Sequence, residues 1–96
     1  MLRIELEFGG GLESLTGGNK VVPVEFSEEQ LTLDRVIDYI RTNLIKEKHE
    51  YFVQGEYVRP GILVLINDVD WELEGKTRYV VQQGDRITFI STLHGG

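Results

Sequence analysis

Leu33–Leu44 reads LDRVIDYIRTNL, and Leu33, Val36, Ile37, Ile40 and Leu44 recur in it at three-four spacing, the period of one helix face. Thr32 stands where an N-cap belongs, and Asp34 sits in the first turn, where a carboxylate suits the positive end of the helix dipole. Lys46 and Lys48 suit the opposite pole. No other segment shows this period, so the chain is expected to have one main helix whose apolar stripe lies across a sheet.

The flanking text supplies the sheet. Leu2, Ile4, Leu6 and Phe8 alternate with Arg3, Glu5 and Glu7, which predicts a half-buried strand. A glycine-rich stretch, Gly9 to Asn19, then leads as a long, mobile loop into an extended run from Val21 to Phe26, where Pro23 marks an edge strand or a bulge. Beyond the helix, a loop runs from the low fifties to Gly61. Ile62–Ile66 is apolar on both faces and reads as a central strand. Asn67-Asp68 turns the chain into a strand from Val69 to Leu73, and Gly84-Asp85 turns it into Arg86 to Ser91. The order strand, strand, helix, strand, strand, strand predicts an α+β domain with a mixed four- to five-stranded sheet and the helix packed on one face. It is the order of the β-grasp fold. Residues 1–91 are expected to form this domain and residues 92–96 a flexible C-terminal tail.

Composition narrows the function. Ninety-six residues suit a single domain, and the apolar run Ile62–Ile66 is far too short to cross a bilayer. The N-terminus alternates charge with hydrophobe and lacks the basic flank and apolar block of a secretory signal, so a cytoplasmic home, with the nucleus as a second compartment, is expected. With no cysteine, the chain has no disulfide framework, no thiol nucleophile and no cysteine-ligated cluster. Sixteen acidic residues against ten basic ones give a charge of -6, which repels a phosphate backbone, so no direct nucleic-acid binding is expected. A monomer is expected.

The side chains nominate no active site. Asn19 and Val21 flank Lys20 where a phosphate-binding loop needs Gly and Ser or Thr. Asp68 and Asp70 fit a solvated turn, His49 and His94 are too isolated for zinc, and Trp71 reads as a core or edge residue. The end of the sequence, Gly95-Gly96, is the exception. A carboxylate there is a poor electrophile, so acyl chemistry on it requires a partner enzyme and prior activation, for example as a mixed anhydride with adenylate. That enzyme must bring the last carbonyl to about 3–3.5 Å from its attacking group, and a Cβ on either residue would obstruct the approach. At an average glycine usage of about 7%, a Gly-Gly end arises by chance in roughly one chain in two hundred.

The stretches VRPGILVLINDVDWELEG (Val58 to Gly75) and QQGDRITFISTLHGG (Gln82 to Gly96) closely resemble the ubiquitin-related modifier family, the sulfur-carrier branch of ubiquitin-like proteins, and FGGGLESLTGG (Phe8 to Gly18) agrees in pattern. The polar stretch Glu74 to Arg78 departs from it, and Gly95-Gly96 matches its mature end. The resemblance implies a β-grasp, ubiquitin-like fold and no bound cofactor. It implies a carrier that is not itself an enzyme, whose Gly96 is adenylated with ATP by a ubiquitin-activating-type enzyme bearing a rhodanese-like domain and then converted to a thiocarboxylate. A cytosolic tRNA thiolase would take that sulfur for 2-thiolation of wobble uridine, and lysines of target proteins would be conjugated through the same carbonyl. Gly95 would supply clearance, and Thr92, Leu93 and His94 would dock the tail in the activating enzyme; Leu93 at the sheet edge and a solvated His94 are the plainer alternatives. A noncovalent adaptor, or a sulfur carrier for molybdopterin or thiamine synthesis, stays open beside this function.

Overall fold

A computed structural model describes residues 1–55 and 57–92 of the chain. Its strands are β1 (Leu2–Gly9), β2 (Val21–Phe26), β3 (Val53–Gln54), β4 (Tyr57–Val58), β5 (Ile62–Ile66), β6 (Val69–Asp70) and β7 (Arg86–Ser91), with helix α1 (Leu33–Tyr39) between β2 and β3. Five of them form one mixed sheet in the order β2-β1-β7-β5-β6, while β3 and β4 make a separate two-stranded ribbon. Among the described residues only β1 and β7 run parallel, with Glu5 opposite Arg86 and Gly9 opposite Ile90. The expected β-grasp, ubiquitin-like architecture is what the chain adopts, a mixed sheet carrying one main helix.

Alternation along β1 works as read. Leu2, Ile4, Leu6 and Phe8 are buried, and they share one core with Leu33, Val36, Ile37 and Ile40 of the helical segment and with Ile87 and Phe89 of β7. Phe89, fully buried, lies 5.8 Å from the Phe8 ring in a stack and 5.3 Å from Phe52 edge-on. β2 is an edge strand, which accommodates the missing N–H of Pro23.

Five expectations need correction. The helix is α-helical only to Tyr39 and continues as a π turn over Ile40–Leu44, closed by Ile45 N–H donating to Ile40 O at 3.0 Å. Thr42 Oγ1 donates to Asp38 O at 2.9 Å and Asn43 Nδ2 to Tyr39 O at 3.2 Å, so side chains compete for the carbonyls of the last turn. Thr32 is the N-cap residue by backbone, yet its hydroxyl bonds the Asp34 carboxylate and caps no N–H. In the glycine-rich connection, Leu12–Thr16 forms a 3-10 turn because Leu12 turns into the core at 4% exposure. The β5 run is buried on one face only: Val64 and Ile66 are buried, whereas Leu63 is 37% exposed. Finally, the strand expected from Val69 to Leu73 stops at Asp70, whose Oδ1 accepts from Glu72 N–H at 2.9 Å and starts a 3-10 turn at Trp71.

The start of β7 is held by a buried carboxylate. Asp85, 6% exposed, accepts hydrogen bonds from Tyr79 Oη at 2.6 Å, Asn67 Nδ2 at 2.8 Å and Gln82 N–H at 2.8 Å. Burial, and next the hydrogen bond to Asp85, push the Tyr79 phenol well above its ordinary range.

Candidate functional site

Three chain segments meet at one rim of the sheet. Since β1 and β7 are parallel, their C-terminal ends share that rim, and β5, antiparallel to β7 with Ile62 opposite Ser91, starts there. The result is a narrow outlet through which the chain leaves its central strand at Ser91–Thr92, between Gly10 on one side and Gly61 on the other. Gly61, at φ 98, turns its carbonyl onto Thr92, whose N–H donates to it at 2.8 Å and whose hydroxyl bonds the same oxygen. A Cβ on Gly10 would lie 2.1 Å from Ser91 O, and the backbone there has φ +66; both facts restrict the position to glycine. Of the residues expected to act, Thr92 sits at this outlet. Leu93, His94, Gly95 and Gly96 lie outside the described residues.

An open cleft of about 1230 Å³ adjoins the outlet, with Ser91, Gly10 and Gly11 at its edge. One wall comes from the 3-10 turn after β1, the other from the segment that follows the π turn. The second wall carries Lys46 and Lys48, and Arg59 completes it with its guanidinium 5.7 Å above the Tyr51 ring. Reading the sequence assigned Lys46 and Lys48 only to the end of the helix and gave Arg59 no role, because only the fold brings the three to one cleft. Gly10 and Gly61 were equally hidden, although a glycine next to a strand end is the signal that could have found them.

The side chains read as decoys have structural roles. Asp68 pairs with Arg86 at 2.6 Å, and Asp70 caps the turn described above. A ring nitrogen of His49 lies 2.7 Å from Ile45 O. Trp71 is half-buried against the core. Among the described residues no three His, Asp or Glu side chains gather as a metal site, and no helix is long and apolar enough to cross a membrane.

The model of the family Urm1 (Ubiquitin related modifier) matches residues 3–96. The human protein named "Ubiquitin-related modifier 1" is 52% identical over 97 residues, covering 99% of this chain and 96% of its own. The solution structure of Urm1 from Trypanosoma brucei superposes with a TM-score of 0.86 at 37% identity, over 98% of this chain and 95% of the other. A chain in the crystal structure of the Amycolatopsis orientalis BexX/CysO complex superposes with a TM-score of 0.76 at 25% identity, over 97% of this chain and 99% of that one.

Proposed function

The chain belongs to the ubiquitin related modifier family, small ubiquitin-like modifiers and sulfur carriers rather than enzymes, and from that premise we propose that Gly96 is its reacting residue. The observation that carries this is the family match running through Gly95-Gly96 on a chain whose central strand ends at an open rim. A ubiquitin-activating-type enzyme with a rhodanese-like domain joins the Gly96 carboxylate to AMP from ATP and releases pyrophosphate. Its persulfide displaces AMP, giving an acyl disulfide, and a second thiol then cleaves the S–S bond to leave the thiocarboxylate. The anionic sulfur passes to a cytosolic tRNA thiolase for 2-thiolation of wobble uridine. Alternatively, a target lysine attacks the activated carbonyl and an isopeptide bond forms.

Gly95 gives clearance in the enzyme's slot and Leu93 and His94 dock the tail, while Thr92, bonded to the Gly61 carbonyl, anchors the root of the 92–96 tail to the 1–91 domain. The carrier works as a cytoplasmic monomer, entering the nucleus as well. It holds no RNA itself, consistent with its charge of -6.

The test uses the missing cysteines. Purified protein is incubated with ATP, an activating enzyme and a sulfur donor, then alkylated, and the C-terminal peptide is weighed. An alkyl tag on Gly96 is expected. No tag from an enzyme proven competent on another carrier would overturn the proposal in favour of a noncovalent adaptor, which would also tolerate removal of Gly96. Leu93→Ala should fold normally and slow adenylation; a melted domain with no specific activation defect would refute its docking role.

A further inference from the structure

Half of the ten cations are paired among the described residues, and of the five that are not, Lys20 and Arg78 do not line the cleft. Arg3, Arg35, Arg41, Lys76 and Arg86 each reach a carboxylate within 2.5–3.5 Å. Lys46, Lys48 and Arg59 have no such partner among the described residues, and all three line the cleft beside the outlet, where Glu47 is the only acidic lining residue. A chain of net charge -6 therefore keeps a local positive site, and the rest of its surface is more acidic than the total implies. Leu15, Val22 and Leu44 add a half-buried apolar floor, and Tyr51, 50% exposed, adds a ring face under Arg59.

We propose that this cleft receives an acidic peptide segment carrying interleaved apolar side chains, supplied by the enzyme that handles the tail. The cations fit carboxylates and the floor fits aliphatic side chains. A polyphosphate is the poorer match. It offers nothing to the apolar floor, and a strand longer than the cleft would run onto the acidic remainder of the surface, losing the multiple phosphate contacts on which nucleic-acid affinity depends. A peptide seated here would lie alongside Ser91, so binding would aim the emerging tail relative to its partner. That the peptide's owner is the tail-handling enzyme rests on the function proposed above; the cleft's preference for an acidic, apolar chain does not.

Two measurements separate these claims. In the first, the full isotope-labelled chain is titrated with a capped hexapeptide alternating Glu and Leu, with a Lys-for-Glu counterpart, and with a hexauridine. Amide shifts confined to Gly11, Leu15, Lys48, Tyr51, Arg59 and Ser91 are expected with the Glu peptide alone, fading as salt rises from about 0.05 M to about 0.5 M. Affinity should fall at least about fivefold in a Lys46→Gln/Lys48→Gln/Arg59→Gln variant, whose changed side chains make no ion pair among the described residues. Shifts elsewhere, an equal response to the Lys peptide, or a response to hexauridine alone would each overturn the proposal. In the second, the same variant should need about fivefold more carrier for half-maximal thiocarboxylate formation, while an Arg35→Gln/Lys76→Gln control should not. An unchanged requirement in the triple variant would remove the enzyme as the peptide's source. Failure of the wild-type chain to acquire any tag would refute the function of Gly96, and the titration would still judge the cleft.

Discussion

The two ends of β7 are fixed by opposite means. At its start the polypeptide is gripped by side-chain chemistry: buried Asp85 gathers Tyr79, Asn67 and the Gln82 N–H around one carboxylate. At its finish, the Ser91 backbone passes a glycine that has no Cβ to obstruct it, and Thr92 bonds to the carbonyl of another. One end depends on groups that are present, the other on a group that is missing. Substitutions should therefore fail differently, the first by orphaning partners and the second by steric exclusion.

Asp85→Ala is expected to have the largest effect. It strands two side-chain donors and a backbone N–H in a half-buried pocket, a loss of about 3 kcal/mol. The midpoint of urea unfolding reads it directly, and a change below about 1 kcal/mol would show that water replaces the carboxylate at no cost.

Gly10→Ala should follow. Its Cβ would fall inside the Ser91 carbonyl at 2.1 Å, so either β1 or β7 must move, costing about 1–3 kcal/mol. Amide shifts should be displaced at Ser91 and Thr92 and not at Asp85. An undisturbed Thr92 would mean the outlet tolerates a side chain, and the contrast between the two ends of β7 would dissolve.

Tyr79→Phe should be the mildest at neutral pH, about 1.5 kcal/mol for one hydrogen bond to a charged acceptor. Its value lies in the pH dependence. The folded state raises the phenol above its ordinary 10.0, so above that pH the unfolded chain releases a proton that the folded chain keeps. The stability supplied by the shift is thus complete below pH 10.0 and drains away as pH rises beyond it. Wild type should lose stability there more steeply than Tyr79→Phe, and the two unfolding curves should converge. Parallel curves would show that Tyr79 ionises as freely folded as unfolded.

Legibility in the sequence follows the same division. β1 is readable because one face is buried and alternation records it, and the helix because Leu33, Val36, Ile37 and Ile40 all enter one core. The face of β5 is not readable, since apolar residues can stand at an exposed position such as Leu63 without penalty to folding. The π turn depends on where the Thr42 and Asn43 side chains go, which no period encodes. For the site, the chemistry expected at Gly96 came from family resemblance, and Thr92 was named without its partner. Gly10 meets Ser91 and Lys46 shares a wall with Arg59 only after the chain has crossed the sheet, so neither juxtaposition has a local signature.

The parallel pairing of β1 with β7 has a practical consequence. Because the two strands run the same way, Leu2 starts at the rim opposite the one where Ser91 finishes, and Met1 beside it is 83% exposed. The molecule has a handle at the pole opposite the outlet. A dye, a bead or a fused reporter attached at Met1 will leave the outlet clear, so the chain can be followed or immobilised without covering that rim.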